Sequence, residues 1–217
     1  QVSYTDHHQN AVDLIRFEKG TQEVVVNCTG EVDLGDSAGV VGRHVGPVPL
    51  WLYKRQSALT KAGPGVRALL RAVTSESILD RAHALMPAIA EAVIFQPGTS
   101  ETHWTAEDVL AAGRGVCQDH THVFLACARE AGWPARYVSG YLLMENTVEQ
   151  EAMHAWAEVH IDGLGWVGFD CANEISPDAR YVRVAVGLYY TDAAPVTGLV
   201  QGGTGEALSV AIEVAQQ

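Results

Sequence analysis

Residues 113–132 read GRGVCQDHTHVFLACAREAG. Gly113 and Gly115 permit a sharp turn directly ahead of an amphipathic helical pattern, whose body is packed by Val123, Phe124, Ala128 and Ala131. Cys117 falls at the head of that helix, and Cys127 sits among its apolar residues as a core group. A thiol is a useful nucleophile only as thiolate, and the free N–H groups and aligned dipoles of a helix N-terminus favour negative charge. Cysteine is equally a small core hydrophobe, so Cys117 alone does not decide between packing and chemistry. A base has to be found elsewhere.

Nine histidines compete for that role. In MHAWAEVHI, residues 153–161, a two-residue period sets His154, Trp156, Glu158 and His160 on one face and Ala155, Ala157, Val159 and Ile161 on the other, the core face. WVGFD follows after a three-residue turn, Asp162-Gly163-Leu164. Opposing Ile161 to Gly165 puts Asp170 diagonally beside His154 on one face, whereas a slip of one residue would send it to the other. His154 and Asp170 can then act as base and orienter. Asp119, His120 and His122 are dense enough to suggest a metal, but neighbouring helical positions point apart and no HExxH spacing is present, so no metal and no cofactor is expected. Asp119 in the first helical turn complements the dipole, and His120 is expected on an exposed polar face.

Outward from this centre, AVDLIRF (residues 11–17), the Lys19-Gly20 turn and QEVVVNCTGEVDL (22–34) read as strands. GVVGRHVGPVPLW (39–51), dense in glycine and proline, reads as a connector. Helices are expected from Pro64, over residues 75–95 with Pro87 kinking or interrupting the second, and from Thr105 to Ala112, where Thr105 and Asp108 resemble a capping box. ARYVSGYLLM, MHAWAEVHI, WVGFDC, YVRVAVG and ALSVAIEV then read as strands. The expectation is an α+β protein with helices packed on an antiparallel sheet: a β-rich N-terminal module over residues 1–63 and a core over 64–217.

Fourteen Lys and Arg against 26 Asp and Glu give a formal charge of −12, which disfavours nucleic acid and other polyanions. The absence of a long apolar run or a signal-peptide layout argues against a membrane partner, and four scattered cysteines without a CxxC pair point to a reducing, cytoplasmic setting. Exposed strand edges in the first module offer a route to a homo-oligomer.

GRGVCQDHTH, PARYVSGYL, HAWAEVHIDGLGWVGFD and YVRVAVGLYYTDAAPVTG, in that order, resemble the core of bacterial transglutaminase-like proteins, covering most of Thr105 to Gly203. The resemblance implies a papain-like core in which Cys117 is the nucleophile, His154 the base and Asp170 the orienter. DHHQN resembles a turn in the β-rich region that precedes such cores, and the resemblance implies further strands ahead of it, so the module over 1–63 is expected to be incomplete at its start. Two departures stand out: Cys171 where the family usually has proline, read here as packing, and His120 where it usually has an aromatic residue. The activity implied is thioester-mediated acyl transfer on a peptide, protein or small amide, by hydrolysis or transamidation. The alternative is a non-catalytic module that keeps the fold to bind peptide or protein.

Overall fold

The computed structural model describes residues 1–18, 20–101, 103–144, 148–150, 152–198 and 207–215. The chain opens with a hairpin, β1 (Val2–Thr5) and β2 (Ala11–Leu14), followed by β3 (Val40–Gly42) and a 3-10 turn at Leu50–Lys54. Helices α1 (Pro64–Ala72) and α2 (Ile78–Ala92), strand β4 (Ile94–Phe95), helix α3 (Ala106–Ala112) and strand β5 (Arg114–Gly115) lead to helix α4 (Cys117–Glu130). Strands β6 (Ala135–Leu142), β7 (Glu149–Gln150), β8 (His154–Ile161), β9 (Gly165–Phe169), β10 (Tyr181–Gly187) and β11 (Ile212–Glu213) complete the described elements.

The central sheet has the order β10-β6-β8-β9-β3, with every neighbouring pair antiparallel. On one face Ala155, Ala157, Val159 and Ile161 of β8 join Val167 and Phe169 of β9 beneath α4. Helices α1, α2 and α3 pack against the remaining sides of α4. The expected one-sided amphipathic pattern of α4 is thereby corrected: Val123 to Ala128 are all fully buried, as are His122 and Arg129, because helices cover the side turned away from the sheet. The opposite sheet face is buried too. Val138, Trp156, Tyr181 and Val186 pack there, and Trp166 meets Val48 and Tyr53 from the N-terminal region. Glu158, on that same face, has no exposure and is held by Arg136 and Arg183 at 2.6 and 2.8 Å.

Helix starts follow the sequence signals. Pro64 occupies the first turn of α1, where a missing N–H costs nothing. Thr105 and Asp108 form a full capping box on α3. Three other expectations change. Helix α2 runs unbroken through Pro87, which lies on its exposed side, where solvent can satisfy the carbonyl four residues back. Residues 22–34 form no strand and are exposed throughout, since β-propensity is realised only against a partner ladder. The stretch expected to be a connector supplies the sheet's edge strand β3, so residues on both sides of position 63 share one sheet.

In ALSVAIEV only Ile212–Glu213 is strand, paired with β7. Lys19 of the expected turn, and residues 199–203 at the end of the resembling stretch, lie outside the described residues. No described helix is long and apolar enough to cross a membrane. The DHHQN turn docks on β10: the Asn10 side chain donates to Val186 O at 2.8 Å and accepts from Val186 N–H at 2.9 Å, pairing the outer strand as a neighbouring backbone would.

Candidate active site

Cys117 is the first residue of α4, half-buried, after a turn that depends on both preceding glycines. Gly113 caps α3 in the left-handed conformation at φ 64°. Gly115 leaves room for Asp119, whose side chain would lie 2.7 Å from any added Cβ. Asp119 Oδ2 accepts from the Val116 N–H at 2.7 Å, which ties the turn to the first helical turn as expected. Burial pushes the Asp119 carboxyl up from its ordinary value, and this backbone hydrogen bond opposes the shift.

Strand β8 begins at His154 and runs antiparallel to β9 with Ile161 opposite Gly165, the register read from the turn. Asp170, one residue beyond β9 and fully buried, accepts from His154 Nε2 at 2.6 Å. Burial disfavours the His154 imidazolium, but hydrogen bonds to Asp170 and Cys117 outweigh it and raise its pKa to about 10. Because Nε2 is committed to Asp170, Nδ1 is the ring atom left for the thiol. For Asp170, burial pushes upward, while His154, Asn173 and Tyr181 together bring the carboxyl below its ordinary value. The three residues named from sequence are therefore brought together.

Two partners of Asp170 escaped sequence reasoning. Tyr181 Oη and Asn173 Nδ2 each donate to Asp170 Oδ2 at 2.7 Å, while Oδ1 accepts the N–H groups of Ala172 and Asn173 at 3.0 and 3.3 Å. Asn173 follows Asp170 by three residues and was open to an Asx-turn reading. Tyr181 carried no such signal, because the 170–180 segment folds back and brings the start of the far outer strand to the carboxylate.

The other cysteines are remote in character. Burial raises Cys127 to about 12 and Cys171 well above its ordinary range, and both pack in the main core. Trp156 lies beside the site, its ring 6.2 Å from that of His154, whereas Trp166 packs on Arg136 and Tyr53 away from it. The expected exposure of His120 is corrected: it is 1% exposed, because the end of α2 covers that side of α4. His122 is buried as well, and burial depresses its pKa to about 3.

A cysteine heading a central helix, opposite a histidine that a carboxylate at the end of the adjacent strand holds, defines the papain-like class of α+β folds. Residues 67–171 match the core domain of the transglutaminase-like superfamily. The chain is similar to a crystal structure of a candidate cysteine protease from Cytophaga hutchinsonii, with a TM-score of 0.58 and 25% identity over 66% of this chain and 48% of that one. An uncharacterized protein of Mycobacterium leprae is 39% identical over 54% of this chain and 43% of its own length. One of Mycobacterium tuberculosis is 34% identical over 49% and 37%. The chain thus spans less than half the length of these curated relatives.

Proposed function

We propose that this chain catalyses acyl transfer from a carboxamide, in a peptide, protein or small amide, through a thioester on Cys117. The observation that carries the reading is the 2.6 Å bond from His154 Nε2 to a fully buried Asp170, with the Cys117 thiol against the same ring. A group that only packed the sheet would not require thiol, imidazole and carboxylate in series.

The reaction runs from the thiolate form of Cys117 with the His154 imidazolium beside it. The Cys117 thiolate attacks the amide carbon, an S–C bond forms and the carbonyl becomes an oxyanion. The Cys117 backbone N–H, at the first position of α4, is one of the donors that a helix start leaves without an intrahelical acceptor, and it can receive that charge. Collapse breaks the C–N bond, and the His154 imidazolium gives its proton to the departing amine. Water, or an acceptor amine, then attacks the thioester, passes a proton to His154 and restores the thiolate as the acid or new amide leaves. Asp170 holds the ring in the productive tautomer throughout.

The test is interception of the thioester. The chain is mixed with activated esters and amides and analysed by intact-mass and peptide spectrometry. An acyl adduct mapped to Cys117, absent in Cys117→Ala and lost on adding water or amine over time, is the expected result. Turnover that persists in Cys117→Ala, or adducts no more frequent on Cys117 than on exposed Cys28, would refute the reading.

A further inference from the structure

His120 lies one turn beyond Cys117 on α4, and both of its ring nitrogens face backbone carbonyls. Nδ1 is 2.8 Å from Val116 O, and Nε2 is 2.7 Å from Val93 O. A carbonyl oxygen can only accept, so each nitrogen must donate. Neutral imidazole has a single N–H and imidazolium has two. With one proton removed, a nitrogen lone pair and an oxygen lone pair would be held facing each other at hydrogen-bond distance in a site 1% exposed, where water cannot take over either group.

The two carbonyls belong to different elements. Val116 immediately precedes Cys117 at the start of α4, whereas Val93 caps the end of α2. A cation is favoured at the C-terminal end of α2 and disfavoured at the N-terminal end of α4. The neighbouring Asp119 offsets the second effect, and the His120 charge in return pulls the Asp119 carboxyl down against its burial. From β4 the ring meets Phe95, uncharged, at 6.1 Å between centroids. Asp119, on the same helix, interacts with the ring electrostatically, and Cys117 lies one turn back along that helix.

We propose that His120 is a doubly protonated clamp. It ties the turn that carries Cys117 to the end of α2 and holds a positive charge one helical turn beyond the thiol, a positioning residue that rests on the acyl-transfer reading above. A phenylalanine at this position could fill the space but would supply neither bond nor charge.

The experiment uses the full chain with histidine labelled in its ring nitrogens and followed by NMR. The His120 resonances are assigned by their loss in His120→Phe. At about pH 7.5, a unit above the ordinary histidine titration, both ring nitrogens should carry protons. A single ring proton at that pH overturns the clamp, and this measurement on the parent chain does not depend on any variant folding. Alkylation of Cys117 by iodoacetamide at the same pH, mapped by mass spectrometry, should slow about tenfold in His120→Phe, the scale of one nearby charge. His120→Gln, which keeps a donor without the charge, should be slow as well. An unchanged rate in both variants, with parental circular dichroism, refutes the electrostatic role. If the parent forms no acyl adduct while both ring protons and the slower alkylation are found, the acyl-transfer reading fails and the clamp stands.

Discussion

Asp170 is the residue on which the catalytic reading turns, because its two oxygens already collect five donors. Replacing it with asparagine sets an amide N–H, or a weaker carbonyl acceptor, against His154, Tyr181 and Asn173, and favours the wrong imidazole tautomer. Asp170→Asn should lower amide turnover by about 10⁴-fold while circular dichroism stays parental. Activity within a few-fold of the parent would mean that another group orients His154. Cysteine chemistry gives a second expectation at this scale. A thiol electrophile should label Cys117 and exposed Cys28 in the native chain, whereas Cys127 and Cys171 should react only after denaturation, since burial keeps both thiols protonated. Native labelling of Cys127 would contradict the packing of α4 described above. Helix start, strand period and hairpin register brought Cys117, His154 and Asp170 forward as candidates, and the resemblance of the surrounding blocks implied their roles. The burial of His120 was not legible in the sequence, since it depends on Val93, 27 residues away along the chain.

Helix α4 carries the site because it is pinned on all sides. Phe124, fully buried, stacks on Phe169 at 5.4 Å between centroids, linking the helix to the last residue of the strand that leads into Asp170. Phe124→Ala removes a large ring from a filled interior and should cost about 3–5 kcal/mol in urea denaturation. A loss below about 1 kcal/mol would show that the helix–sheet contact is not what secures the site. The β8–β9 hairpin is the other positioning element, and its register was readable because a glycine-containing turn leaves few solutions. The short edge strand β3 was hidden for the opposite reason. Its three residues, Val40–Gly42, follow Gly39 and end on Gly42, both glycines having positive φ, and it is extended only because β9 offers a ladder. In residues 22–34 a stronger β pattern finds no such ladder.

For the whole molecule, two histidines set opposing pH limits on stability. His154, raised from 6.5 to about 10, contributes stability that is full below 6.5 and is lost as pH rises toward 10, where the folded state gives up a proton that the unfolded chain has already released. His122, depressed from 6.5 to about 3, acts in the other direction: its contribution is full above 6.5 and is lost as pH falls toward 3, because the unfolded chain takes up a proton that the folded core refuses. Stability measured by urea denaturation across this range should peak near neutral pH, and His122→Phe should flatten the acid side if the ring still packs against Tyr137. A profile that rises steadily from neutral pH toward 10 would contradict the His154 environment. The motif blocks of the sequence carried the resemblance to a transglutaminase-like core that implied roles for the cysteine, histidine and aspartate; by itself the sequence also determined the α+β order of elements and the hairpin register. Those features are written in two-residue and helical periods, turn residues and caps, each of which acts over a few positions. Tertiary structure alone decided that both sheet faces are covered, that β3 joins the sheet, that Tyr181 and Asn173 complete the Asp170 site and that His120 bridges two helix ends. Each of those depends on which distant segments meet, and so on the hydrogen-bond partners and excluded water that a local pattern does not contain.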